Sequence, residues 1–262
     1  MILSFGEAPG APVCSVRGFV KRMMPMLNDA GRQNDETIGE KAYRQIRADI
    51  IFGRLQPGQK LRLDDLKQTY STSISTLREL LNRLASEGFI TAEGHRGFEV
   101  TPVSIETMRE VAAMRLLLEC HALTQSFAAG DMEWEGRVVA AHHKLSRLEQ
   151  LLVAGKNADA ELWKRYDWEF HHALISGCRS TALLDTHAGI YDKYLRYQMI
   201  AVIFRGEIAA AEHRLLLDCA LKRDAAKACK ILKKHIDGCV DYTAAGDRLK
   251  PQGSRTAAAA MS

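Results

Sequence analysis

The chain has 262 residues, 47% of them hydrophobic and 26% charged, which suits a globular protein of two domains and excludes a disordered polyelectrolyte. No apolar run approaches the roughly 20 residues needed to cross a bilayer, and Met1 to Val20 lacks the basic front and apolar core of a secretion signal, so a cytoplasmic protein without a membrane partner is expected. The net charge of +4 does not by itself mark a nucleic-acid binder. However, residues 38–101 hold ten Lys/Arg against eight Asp/Glu, whereas residues 102–242 hold nineteen of each, so the basic excess lies outside the larger half.

Residues 1–36 show no sustained periodicity and read as a flexible leader, with Met23, Met24 and Met26 as alternative starts. Ile38 to Gly53 carries Ala42, Tyr43, Ile46, Ile50 and Ile51 at helical spacing. Pro57-Gly58 is a turn, and Leu63 to Tyr70 fits a short helix. Ser73 is a good N-cap for a helix reaching about Ser86, with Gly88 behind it. Strand signal is confined to Phe89–Glu93 and Gly97–Thr101, a hairpin around Gly94-His95-Arg96. After Thr101-Pro102 only long helices are expected, near 104–129, 132–154, 158–177, 181–204, 206–222 and 224–243. The fold class is therefore mainly α: a winged helix-turn-helix at 37–102, an antiparallel helical bundle at 103–245 and a loose tail at 246–262. The six cysteines form no C-x-x-C pair and read as reduced, buried thiols.

Helix, short helix, helix and hairpin is the order of a DNA-reading module. Its third helix would present Ser75, Thr76 and Arg78 on its first turns, while Leu77, Leu80, Leu81 and Leu84 form the buried stripe. Free N–H groups at the Ser73 end suit a phosphate. His95 and Arg96 would enter the adjacent minor groove. Singly, each residue has an ordinary explanation, Arg78 for instance as an ion-pair partner of a nearby acid.

In the larger half, Asp167 and His171 lie four apart and share one helix face. His213 and His235 come from later helices. One carboxylate and three imidazoles suit Zn²⁺, Ni²⁺ or Mn²⁺ with open coordination positions. Spacing alone favours the simpler reading of buried, hydrogen-bonded histidines. Arg115 and Arg196 are candidates to hold a carboxylate ligand, each with a surface ion pair as its alternative. His142 and His143 read as solvated, and Trp134, Trp163 and Trp168 as packing anchors.

The stretches Arg44–Gly58, Ser73–Glu79 and Leu84–Ile90 resemble the GntR regulator family, which usually reads I-x-x-G-x-L-x-P-G and S-R-T-P-V-R-E-A-L-x-x-L-x-x-x-G. Ser73, Thr76-Leu77-Arg78-Glu79, Leu84 and Gly88 are kept. Ile74 stands where the family commonly carries an operator-touching arginine, and Arg62, near the second helix, is the candidate for a replacement phosphate contact. Tyr166 to Gly177 is similar to the D-x-x-F-H-x-x-L-x-x-x-S-G signature of the FadR-type ligand domain, called FCD. Glu212-His213 and His235-Ile236 match its later motifs. Gly130–Glu135 with Ala141–Glu149 is similar to the carbon-starvation and 4-aminobutyrate-pathway regulators of that subgroup.

The resemblance implies a homodimer on a palindromic operator, with Arg78 as its firmest contact. It also implies a divalent metal on Asp167, His171, His213 and His235; an open cation site would accept the oxygen of a small carboxylate effector, whose binding would shift the spacing of the recognition helices. The rival readings are a metal-free pocket for an acyl or apolar effector, a DNA-architectural dimer without effector, and a helical metallohydrolase. The last is disfavoured because no adjacent His-Asp pair is present. Whether the effector releases or strengthens DNA binding is not legible.

Overall fold

The computed structural model describes residues 37–92, 97–156, 159–201, 204–246 and 249. The expected leader and nearly all of the expected tail lie outside them, as do His95, Arg96 and Cys14. Helix α1 (Ile38–Ile51) starts where Thr37 accepts from the Glu40 amide, and it buries Ala42, Tyr43, Ile46, Ile50 and Ile51. Helix α2 (Leu63–Tyr70) leads into α3 (Ile74–Ser86), which Ser73 caps by accepting from Thr76 N at 3.1 Å. Leu77, Leu80, Leu81 and Leu84 form the buried stripe of α3, each contributing about 1.5–3 kcal/mol of burial. Gly88 turns the chain out of α3 at φ +82°, where a Cβ would be strained.

The hairpin pairs β2 (Ile90–Ala92) with β3 (Phe98–Val100), Ile90 opposite Val100. A further strand, β1 (Lys60–Leu61), pairs with the other edge of β3, giving the order β1-β3-β2. The sequence reading has no strand there, because two residues cannot show a period-2 pattern.

Six helices follow among the described residues: α4 (Ile105–Ala129), α5 (Met132–Val153), α6 (Ala160–Ile175), α7 (Thr181–Ala201), α8 (Glu207–Leu221) and α9 (Ala225–Ala245). Ser104 and Thr107 form a capping box at α4, and Asp131, Asp159 and Asp224 cap α5, α6 and α9. The bundle packs around Phe127, Trp134, Leu145, Phe170, Leu174 and Leu216. Trp134 Nε1 also donates to the Ala173 carbonyl at 2.9 Å. Trp163 and Trp168 are buried too, so all three tryptophans pack as expected.

Helix α7 is a wall shared by both halves. Its Ala188, Tyr191 and Leu195 join Trp168 in one apolar cluster with Ile46, Ile50, Leu77 and Leu81 of the winged helix. Polar contacts pin the same seam. Arg47 NH2 lies 2.8 Å from Asp192 Oδ2, and Arg47 Nε lies 3.1 Å from Glu87, the C-cap of α3. Arg196 donates to the Thr101 carbonyl, where the wing hands the chain to the bundle.

Candidate metal centre and DNA-reading face

Helix α6 carries Asp167 and His171 one turn apart on its buried face. Helices α8 and α9 bring in His213 and His235. One ligand atom from each residue lies within 4.8 Å of all the others, and all four side chains are buried. The His213 and His235 ring centroids are 4.7 Å apart, and His171 stands 5.5 and 5.4 Å from them.

Each imidazole is oriented by its own carboxylate. His171 Nδ1 meets Glu119 Oε1 at 2.5 Å, His213 Nδ1 meets Glu149 Oε1 at 2.7 Å, and His235 Nδ1 meets Glu212 Oε2 at 3.0 Å. A carboxylate accepts only from a protonated nitrogen, so each neutral ring carries its hydrogen on Nδ1 and keeps a lone pair on Nε2. Nε2 of His171 and of His213 is buried without a hydrogen-bond partner among the described residues. His213 Nε2 lies 3.4 Å from Asp167 Oδ1.

The electrostatics favour the same protonation. Burial pushes the His235 imidazole down to about 3, against the pull of Glu212, and burial also lowers His171 despite Glu119. Burial opposes ionised Asp167, but the charge of Lys164 beside it outweighs burial and holds that carboxyl well below its ordinary range. Lys164 Nζ lies 3.5 Å from Asp167 Oδ2, to which Tyr191 donates at 2.9 Å. At neutral pH Asp167 is therefore a carboxylate, and the lowered His171 and His235 imidazoles are neutral. Orphaned nitrogens and an N₃O donor set fit a divalent ion such as Zn²⁺, Ni²⁺ or Mn²⁺.

Arg115 lies beside this cluster and is fully buried. Its Nε meets Glu119 Oε2 at 2.8 Å, and its guanidinium carbon sits 4.6 and 4.7 Å from the Tyr191 and Tyr194 rings. Among the described residues NH1 and NH2 of Arg115 have no hydrogen-bond partner, nor does Gln198 Oε1. A charge buried with two idle donors is costly unless something else meets it. Arg196 is placed differently from expectation: its guanidinium serves the Thr101 carbonyl at the domain junction. His142 also departs from its solvated reading. It is buried, with its ring edge-on to Phe170, whereas His143 is exposed.

The sequence reading missed Glu119, Glu149, Glu212, Lys164 and Tyr191. Helical spacing offered a hint for Glu119, four residues after Arg115, and for Lys164, three before Asp167; the neighbour of Glu212 in sequence, His213, points to the wrong partner, since Glu212 serves His235 on the next helix.

On the winged helix, Arg62, Ser73, Ser75 and Arg78 are exposed and Thr76 is half-buried. Ser73 Oγ is engaged as a cap, bonded also to Ser75 Oγ at 2.8 Å and Thr76 Oγ1 at 2.9 Å. Its role here is to start α3. Among the described residues Arg78 has no ion-pair partner, so its charge is available on the outer face of α3.

Residues 38–100 match the bacterial regulatory proteins of the gntR family, and residues 110–238 match the FCD domain. The chain is 34% identical over 239 residues to the uncharacterised HTH-type transcriptional regulator BphR of Paraburkholderia xenovorans, covering 90% of each chain. The chain belongs to the GntR family and carries an FCD domain.

A second relative, the HTH-type transcriptional repressor GlaR of Escherichia coli, is 31% identical over 202 residues, 74% of this chain and 90% of that one. The structure of E. coli McbR/YncC shares the fold, with a TM-score of 0.64 at 18% identity over 78% of this chain and 95% of that one. The protein is thus a DNA-binding transcription regulator of the GntR/FCD type, and the metallohydrolase alternative falls away. The FCD match contains all four candidate ligands and the three carboxylates behind them. No helix among the described residues is long and apolar enough to cross a membrane.

Proposed function

We propose that this regulator is a homodimeric repressor whose affinity for a palindromic operator is set by a small carboxylate, bound beside a divalent metal ion in the FCD domain. The observation that carries the reading is the convergence of Asp167, His171, His213 and His235, each imidazole turned inward by a carboxylate. The metal would supply a Lewis-acidic anchor for a carboxylate oxygen. Arg115 would bind the other end of the anion through NH1 and NH2, its two idle donors. Repression is supported by the repressor GlaR among the relatives. Dimerisation is supported by the exposed apolar side chains of Met114 and Leu117 on α4.

Helix α7 connects the two functions. Tyr191 holds the ligand Asp167, the next residue Asp192 holds Arg47 of the winged helix, and Arg196 holds the wing's last strand exit. A small tilt of α7 would move α3 and the half-site spacing with it. DNA contact would come from Arg62, Ser75, Thr76 and Arg78, with Ser73 starting the helix that presents them; His95 and Arg96 of the wing lie outside the described residues.

The test is a thermal-shift screen of short mono- and dicarboxylates with and without Zn²⁺ or Ni²⁺. A metal-dependent rise in Tm that Arg115→Met removes supports the reading, because a ligand selective for the folded state stabilises it. A response that persists after chelation assigns the pocket to a metal-free effector. No response in any condition overturns acid sensing.

A further inference from the structure

All four candidate ligands are buried, so an ion or anion can reach them only if a side chain moves. A solvent-open vestibule of about 420 Å³ lies between α8 and α9, lined among others by Arg205, Glu212, Lys234, Asp237, Gly238 and Asp241. Its lining reaches the centre through Arg205 and Glu212, which stand against His235. Arg205 NH2 donates to Glu212 Oε2 at 2.5 Å and to the His235 carbonyl at 3.1 Å, and the same Glu212 oxygen holds His235 Nδ1. Behind this arginine–glutamate pair stands the His235 ring itself.

Two features make the floor look built to open. Glu212 is part of the vestibule lining, but its Oε1 is buried and has no hydrogen-bond partner among the described residues, so opening the floor would offer a carboxylate oxygen to a donor or a cation. Residue 238 is a glycine, and a Cβ at that position would stand 2.6 Å from Arg205 NH1 and 3.1 Å from its guanidinium carbon. The arginine can lie flat on α9 only because nothing projects there.

We propose that this vestibule is the loading port of the metal centre and that Arg205 is its gate. A hydrated divalent cation would first meet Asp241 and Asp237, the latter shared with Lys233, and only then the buried Glu212 Oε1. Swinging Arg205 out would then free Glu212 and His235 to turn and pass the ion inward. Lys230 and Lys234 on the rim give an arriving carboxylate its own partner charge by the same route. This inference rests on the metal-centre reading and adds a path and a gating residue to it.

The experiment measures Zn²⁺ uptake and release by stopped flow with a chromophoric chelator, on the full chain. Two variants act on the gate by different chemistry: Arg205→Ala removes it, and Gly238→Ala keeps the charge but displaces it. Losing the charge-assisted contact to Glu212 should raise both association and dissociation rates about tenfold in each variant. Because both rates rise together, affinity changes less than either. A dissociation rate that rises alone, with association as in the wild type, would show that Arg205 only positions Glu212, and it overturns the gate. Wild-type rates in both variants overturn the port while leaving the centre intact. A wild-type protein that takes up no Zn²⁺ overturns the centre and the port with it.

Discussion

Replacing Glu149 by Gln isolates what an orienting carboxylate contributes. Glu119 also binds Arg115 and His187, and Glu212 also binds Arg205, but Glu149 has His213 as its one hydrogen-bonding partner among the described residues. Glutamine keeps the shape and an acceptor oxygen, so His213 stays in place while the negative charge behind Nδ1 disappears. That charge strengthens the Nε2 lone pair and opposes a misplaced tautomer. The contact is 2.7 Å long between fully buried groups, so little solvent screens it. Loss of such an outer partner lowers metal affinity about 10- to 100-fold, or about 1.4–2.7 kcal/mol. Competition with a chromophoric chelator for Zn²⁺ at pH 7.5 measures the change, with His213→Ala as the reference for losing the ligand itself. If Glu149→Gln binds Zn²⁺ within twofold of wild type while His213→Ala abolishes binding, the carboxylate is a bystander and the reasoning fails.

Three further outcomes are expected. Arg78→Ala should weaken binding to an operator selected from random DNA by about tenfold or more, read by fluorescence anisotropy; equal affinity would remove Arg78 from the interface. Breaking the seam with Arg47→Met leaves Asp192 buried without its cation and should cost about 3 kcal/mol in urea unfolding. Adding Asp192→Asn should recover part of that loss, and strictly additive losses would show that the pair is not coupled. For the metal-free protein, burial holds the His142 imidazole below its ordinary value of 6.5, so the unfolded chain takes up that proton first. The associated stability is complete above pH 6.5 and is lost as the pH falls below it. His142→Leu should therefore show a shallower acid loss than wild type, and an identical pH profile would refute the assignment.

Much of this molecule is legible one helical turn at a time. Ser73, Asp131 and Gly88 act on residues three or four positions away, and the leucine stripe of α3 is a local periodicity. Asp167 and His171 share a face for the same reason, since helix geometry alone puts them one turn apart. The partners of the histidines are another matter. Glu119, Glu149 and Glu212 lie 52, 64 and 23 residues from the imidazoles they orient, and no spacing rule reaches that far. Helix packing decided those pairings, as it decided that Arg115 would be sealed inside the bundle and Arg196 spent on the Thr101 carbonyl. Both arginines look alike in the sequence, because a guanidinium's role depends on which neighbouring helix covers it. His142 went inside for a similar reason: Phe170 of α6 packs over that turn of α5. Local order follows from contacts within a turn, whereas the chemistry of the centre follows from which buried charges the folded bundle forces together.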